Sequence, residues 1–550
     1  MIQEEIKKVI ESAAKNMGVE VPVVLVEAPK EKTHGDYSTN VALSLSKKLG
    51  KSPLEIAQKI AGGIQKPDFL EKVEAVAPGF INFYLSKEYF VGQLKNIDTD
   101  FGKAKKPFFG AKKVIVEYTD PNILKEFHIG HLMSNAIGES IARIFEFQGA
   151  NLKRVNYQGD VGLHVAKALW GKLKNPDMVW AQAYAFGAGE YEENETAKKE
   201  IVGINKKVFE KSDKEINALY SQGRKDSLAY FDTIYKKLGT DFDRLFFESE
   251  VADTGKKIVM EHVGRVFEKG DKGAIVFKGE SEGLHTRVFV NSEGLPTYEA
   301  KDLALPELKY GYFKYDNSII ITAHEQNAYF DVMLAALGKI KPELAKKTRH
   351  IGHGMLRLPE GKMSSRTGKV VTAESLIERI EAQVAQKAAD KNIDSATIQK
   401  IAIGALKYSI LKQSIGSDII FDFDKSISFE GDSGPYLQYS YVRAVSVIQK
   451  AKGERVKASL KNIPQEITQL EKMMRRFPEV VEKSAAEYEP HIITLYLTEL
   501  AREFNNYYAN HKIVDKADEF SPYKVALTEA FSIIMKNGLW LLGIQAPEKM

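Results

Sequence analysis

Apolar residues recur at helical spacing through Leu132, Ala136, Ile137, Ile141, Ile144 and Phe145, with Gly149 just beyond, and predict a helix. Two short apolar runs flank it, Val114-Ile115-Val116-Glu117 and Leu152–Tyr157, and both read as strands. Strand, helix and strand at this spacing form a βαβ unit, which favours a parallel sheet with ligands at the carboxyl ends of its strands. The sheet pattern returns at Ser318–Thr322. Between the two parts, residues of about 170–290 carry long charged helices and a hairpin-like stretch over Ala274–Val290, and read as an insertion. Upstream lie an amphipathic helix over Met1–Gly18, an apolar segment at Val21–Val26, a helix near Tyr37–Leu49 and strand-like Ala75–Leu85. The basic stretch Lys103-Ala104-Lys105-Lys106-Pro107 then reads as a linker. From about Phe421 the periodicity is helical, through Ile492–Tyr508 and Val525–Leu542, and predicts a bundle.

The expected fold class is therefore α/β. A Rossmann-type parallel-sheet domain (110–420, insertion about 170–290) follows a small N-terminal α/β domain (1–105) and precedes a helical bundle (421–550). Length agrees, since single cores stop growing near roughly 250–300 residues and this chain has 550. Charge changes little: 78 Lys and Arg against 74 Asp and Glu give only +4, too little to mark a nucleic-acid binder without clustering. The chain has no cysteine, so disulfides and thiolate zinc sites are excluded. The first helix carries Glu4, Glu5 and Glu11 and not the basic start of a signal peptide. No apolar run approaches the roughly 20 residues of a membrane helix. The expectation is a soluble, cytoplasmic protein with no membrane partner.

Two short motifs carry the chemistry. His128-Ile129-Gly130-His131 falls where the first strand and its loop give way to the helix. Lys362-Met363-Ser364-Ser365-Arg366-Thr367-Gly368 follows more than two hundred residues later, with Gly361 and Gly368 at its margins. Helix-terminal amides and dipole favour anions at the first motif. Imidazole donors there can hydrogen-bond phosphate oxygens as charge moves onto a leaving pyrophosphate. The glycines let the second loop bring Lys362 to those phosphates. Each motif alone is weak; the pair, at opposite ends of one domain, points to a bound triphosphate.

A wider set of segments resembles the arginyl-tRNA synthetases, a family of class I aminoacyl-tRNA synthetases. These are Glu117–His128, Asn156–Gly162, Tyr298–Ala304 and Ser428–Tyr439, joined by Gly35–Asn40, Ala77–Phe83 and the ending Leu542–Met550. The likeness runs from residue 35 to residue 550. It implies ATP with Mg2+ carried by the nucleotide, no permanently bound metal, and tRNA for arginine, arginine and ATP as partners of a monomer. It implies that His128, Gly130, His131, Lys362, Met363 and Ser364 bind ATP, and that His128, His131, Lys125 and Lys362 are catalytic. Ser365 stands where many class I enzymes have a second lysine, and Lys125 is inferred to supply the missing cation. Val161, Glu126 and Asp120 also depart from the family pattern, which usually has Trp, Pro and Ser there.

A guanidinium has five donors and no acceptor, so its pocket needs carboxylates and neutral acceptors. Tyr298 and Asp302, four residues apart, match the positions that recognise the arginine side chain. Glu117 and Asn122 match those that hold its amino-acid end, and Gln326 matches another pocket position. For tRNA the resemblance implies Tyr436, Tyr439, Asn506, Tyr507 and Met550 in the helical part, with Asn505 and Tyr508 beside them. Phe80 and Asn82 fill that role in the N-terminal part. Two alternatives stay open at this point. One is a class I ligase for cysteine or lysine; the other is a non-catalytic tRNA-binding protein of the same fold.

Overall fold

The computed structural model describes residues 2–550 except Pro22, Lys30, 105–109, Ala111, 359–370 and 390–392. The linker residues Lys105, Lys106 and Pro107 lie outside the described residues. The chain divides into two compact units. One comprises residues 1–101, 444–477 and 503–534; the other comprises 102–443, 478–502 and 535–550.

The first unit holds a three-stranded antiparallel sheet of β1 (Tyr37–Thr39), β2 (Leu70–Val76) and β3 (Phe80–Leu85), in the order β1-β3-β2. Helices Ile2–Asn16, Val41–Leu49 and Pro53–Gly63 contribute Ile6, Ile10, Leu45, Ile56 and Ile60 to the core that covers it. The stretch expected as a helix from Tyr37 divides at Asn40, because the strand residues pair with β3 before the helix begins. The strand-like Ala75–Leu85 spans a hairpin turn instead of a single strand. Val21–Val26 forms no strand among its described residues; the neighbouring Glu27 makes one isolated bridge to Ser38. Helices from the last quarter of the chain belong to this unit too. Arg475 donates to the Tyr37 hydroxyl at 2.6 Å, and Lys472 pairs with Asp36 at 3.1 Å.

The second unit is built on a five-stranded sheet whose neighbours are all parallel. Its strands are β4 (Lys113–Tyr118), β5 (Asn151–Gln158), β6 (Arg244–Phe247), β10 (Asn317–Ala323) and β11 (Thr348–His353), ordered β11-β10-β4-β5-β6. The strands β7 (Glu268–Lys269), β8 (Ile275–Phe277) and β9 (Arg287–Val290) make a separate antiparallel sheet. One strand, β6, falls inside the stretch read as an insertion yet pairs with β5. Four residues are too few for periodicity to reveal, and only the partner strand defines them.

The helix Ile129–Phe147 crosses from β4 to β5 and is buried on almost every side. Gly138 permits that close crossing, because a Cβ there would lie 2.2 Å from the Tyr118 ring. Chain order reverses beside β4, with β5 on one side and β10 on the other. In open parallel sheets that switch point is where the ligand crevice opens. Among the described residues no helix is long and apolar enough to cross a membrane.

Candidate active site

The loop between β4 and the helix Ile129–Phe147 sets the crevice. Three of its non-glycine residues, Thr119 (φ 84°), Asp120 (φ 44°) and Leu124 (φ 62°), have left-handed backbone. Such conformations persist only where surrounding bonds over-determine them. Here Ser134 Oγ accepts from Thr119 N–H at 3.2 Å and Ser227 Oγ from Leu124 N–H at 2.9 Å. Asp120 Oδ1 accepts from Tyr157 N–H at 2.7 Å, which ties the loop to β5.

His128 caps the helix. Its Nδ1 accepts from Gly130 N–H at 3.1 Å, and His131 Nδ1 accepts from His128 N–H at 3.3 Å. A ring nitrogen that accepts carries no proton, so each imidazole is neutral and bears its hydrogen on Nε2. The rings stack with centroids 3.6 Å apart. Burial pushes the His128 pKa down to about 4, with the Lys125 charge adding to the effect. Burial, His128 and Lys125 push His131 well below the usual range. Gly130 is required because a Cβ would come within 2.9 Å of the folded-back His128 ring. The result is two neutral donors fixed at a helix N-terminus.

Lys125 sits on the same loop, its ammonium 4.4 Å from the centre of the Tyr184 ring. Its charge helps hold His128, His131 and His164 neutral. The second motif, including Lys362, Met363 and Ser364, lies outside the described residues. The residues that follow it are held at the first motif. Ala373 N–H donates to Phe127 O at 2.8 Å, and Thr372 bridges to His128.

The other half of the crevice is acidic. Tyr298 and Asp302 lie one turn apart on the helix Tyr298–Tyr312. Tyr298 O–H faces Nδ1 of His164 at 3.4 Å, while the other ring nitrogen of His164 donates to Gly159 O at 3.1 Å. Asp302 Oδ2 accepts from the Tyr329 hydroxyl at 2.5 Å. Glu117 is committed to a fully buried ion pair with Lys309 at 2.9 Å. Asn122 bridges to Gly159, and its Oδ1 would lie 2.0 Å from a Cβ at that glycine. Gln326 ends a short 3-10 turn after β10 and is exposed.

Three further ion pairs join residues of the segments Asn156–Gly162 and Tyr298–Ala304 to Glu248, Arg287 and Arg224, which lie outside them. Glu248 pairs with Lys301, and Lys301 also stands 4.3 Å from the Tyr298 ring centre. Glu299 pairs with Arg287 at 3.2 Å and Asp160 with Arg224 at 3.3 Å. The paired residues lie 12 or more positions apart, so the sequence carries no local signal for them. With those four pairs formed, Asp302 and Asp120 are left without a cationic partner among the described residues. Burial first, opposed in part by the Tyr329 hydrogen bond, pushes Asp302 up to about 7. Burial and then Glu117 push Asp120 well above the carboxylate range. Glu248 is likewise pushed up to about 7 by burial, with Lys301 pulling the other way. The pocket holds more acidic groups than its own cations pair with.

The candidates for tRNA contact fall in both units. In the first unit, Phe80 (38% exposed) and buried Asn82 line a cavity of about 460 Å³. Asn82 Oδ1 accepts from the Ser38 hydroxyl at 2.8 Å. Tyr507 is buried and stacks on His511, so helical spacing turns it into the core; its neighbour Tyr508 is the exposed ring. Asn506 is exposed and Met550 half-buried. In the second unit, Tyr436 and Tyr439 are half-buried on the helix Gly434–Gly453, and Tyr439 Oη accepts from Arg443 at 3.1 Å.

Family models match along the chain: "tRNA synthetases class I (R), catalytic domain" over residues 93–423, "DALR anticodon binding domain" over 437–550, and "Arginyl tRNA synthetase N terminal domain" over 1–85. The arginine–tRNA ligase of Halothermothrix orenii is 31% identical over 573 aligned positions, which cover 100% of this chain and 99% of that protein. The arginyl-tRNA synthetase structure of Thermus thermophilus superposes with a TM-score of 0.80 at 26% identity over the full length of both chains. That of Plasmodium falciparum shares the fold, with a TM-score of 0.79 at 23% identity, covering 100% of this chain and 99% of that one. On full-length similarity, and with a histidine-capped helix at the switch point of its parallel sheet, this chain belongs to the class I arginyl-tRNA synthetases.

Proposed function

We propose that the protein is an arginine–tRNA ligase that uses ATP with Mg2+ carried by the nucleotide. One observation carries the choice of amino acid: two pocket carboxylates, Asp302 and Asp120, lack a cationic partner among the described residues. Arginine brings two positive groups, a guanidinium and an α-ammonium. Asp302 and Tyr298 face the first. Asn122 and the Glu117–Lys309 pair stand at the end of β4, towards the histidines, and take the amino-acid end. Gln326 closes the pocket at the end of β10.

In the first step the arginine carboxylate attacks the α-phosphorus of ATP. A bond from carboxylate oxygen to phosphorus forms, the α–β phosphoanhydride breaks, and pyrophosphate leaves. The nucleophile is already anionic, so positioning and electrostatics dominate. The Nε2–H groups of His128 and His131 donate to phosphate oxygens, and Lys125 meets the growing charge from the loop. Lys362, with Met363 and Ser364, is assigned to the same phosphates on its motif alone. The terminal ribose 2′-hydroxyl of tRNA then takes the arginyl group and AMP leaves.

The same reading assigns the N-terminal domain (1–105, with Phe80 and Asn82) to the outer corner of the tRNA. It assigns the helical domain (421–550, with Tyr436, Tyr439, Asn506 and Met550) to the anticodon, and makes the chain a cytoplasmic monomer. Aminoacylation of total tRNA with each amino acid in turn tests it. Arginine alone should be charged, and only in the presence of ATP. Charging of lysine or cysteine, or tRNA binding without charging, would replace this reading.

A further inference from the structure

The side chains of β5 alternate between the two faces of the sheet, and Tyr157 points into the core shared by Val251, Ala300, Leu303 and Phe330. The residue is 9% exposed, yet its hydroxyl has no hydrogen-bond partner. Buried hydroxyls in native proteins are almost always paired, because they lose water and gain nothing in return. The groups that bear most strongly on this one are Asp302, Glu248, Tyr329 and Glu117, and with burial they push the phenol far above its ordinary range. Each of those acids is engaged elsewhere, Asp302 with Tyr329, Glu248 with Lys301 and Glu117 with Lys309.

The neighbouring β5 positions differ. Asn156 Oδ1 and Gln158 Oε1 are also unpaired, but their amide nitrogens lie 3.5 and 3.4 Å from the Tyr235 hydroxyl. Rotation of the Gln158 amide gives Tyr235 an acceptor, and oxygen and nitrogen of an amide are exchangeable assignments. The Tyr157 hydroxyl has no such neighbour among its hydrogen-bond partners. Tyr157 shares its core with Ala300 and Leu303, on the helix that carries Tyr298 and Asp302, so its oxygen is an acceptor useful to a ligand on that side that is rich in donors and positively charged. A guanidinium presents five N–H groups, more than one partly engaged carboxylate can accept.

We propose that Tyr157 is a specificity-determining contact for the arginine side chain, its hydroxyl oxygen accepting a guanidinium N–H beside Asp302. This rests on the arginine reading above. The test is Tyr157→Phe in the full-length enzyme, measured by arginine-dependent ATP–pyrophosphate exchange with tRNA present. The arginine KM should rise about 10-fold or more, the range for one hydrogen bond to a charged group, with the KM for ATP unchanged. The preference for arginine over lysine should fall by a similar factor, because lysine has no group that reaches this oxygen. The thermal midpoint should hold or rise, since a buried unpaired polar atom is removed. An arginine KM within twofold of the parent overturns the inference and leaves the arginine reading intact. A parent enzyme without arginine-dependent exchange overturns the reading itself.

Discussion

The two ends of the crevice are built in opposite ways. At the histidine end each imidazole is oriented by a backbone amide two or three residues away, and both rings are held neutral. At the acid end the partners are distant in sequence: Glu117 with Lys309, Glu248 with Lys301, Tyr298 with His164. The first end is electrostatically quiet and rigid before any ligand arrives. The second carries buried acids whose ionised forms a cationic ligand favours. Donors for charge that develops only in the transition state must be fixed in advance. A pocket that recognises a standing charge gains from leaving its own charge unmatched.

The largest separation between the two ends should come from Asp302→Asn. Removing one member of a close charge pair costs about 2–5 kcal/mol, so kcat/KM for arginine should fall by about a thousandfold in the exchange assay. The KM for ATP should stay within a few-fold of the parent. Equal losses for both substrates would mean that the acid end also shapes the phosphate site.

The converse substitution is His128→Asn. Loss of one preset donor to developing charge costs roughly 10²–10³ in kcat, and the arginine KM should hold. Lys125→Ala should follow closely, with about a hundredfold loss in kcat, nearly that of Lys362→Ala, and little change in arginine affinity. Lys125 lies over Tyr184 in the apo crevice, so a fully active Lys125→Ala enzyme would show that this contact anchors the loop and that the lysine does not serve the phosphates.

This contrast also decides what could be read without coordinates. The histidine motif is legible because its geometry is local: a glycine where the ring folds back, a strand before it and a helical period after it. The sheet was legible wherever a strand is a long apolar run, as at Lys113–Tyr118 and Asn317–Ala323, and illegible at Arg244–Phe247, where four residues acquire their role from β5. Asp302 and Tyr298 could be paired by their spacing on one helix. Glu248, His164 and Tyr184 could not, because each comes from a different element and none sits in a pattern. Tyr507 shows the reverse error: helical spacing made it equally eligible for core or surface, and burial against His511 settles the matter. Lys362 remains a reading of its motif, outside the described residues.

The smallest effect is the one that reads both ends together, through pH. Asp302 and Glu248 are both pushed up to about 7, chiefly by burial. A bound guanidinium favours the ionised carboxylate and lowers those values in the complex. Affinity for arginine is therefore fully present above about pH 7 and is lost as the pH falls through that value, because binding must then displace a proton. Because the two acids lie close together, the transition belongs to the pair and not to either residue. The arginine KM should rise about tenfold between pH 7.5 and 6. The KM for ATP should be level through the same window, since His128 does not charge until about pH 4 and His131 lies lower still. Asp302→Asn should flatten the arginine profile while leaving the ATP profile as it was. An arginine KM that stays level in the parent would mean that the pocket acids are already neutralised, and the contrast between the two ends would disappear.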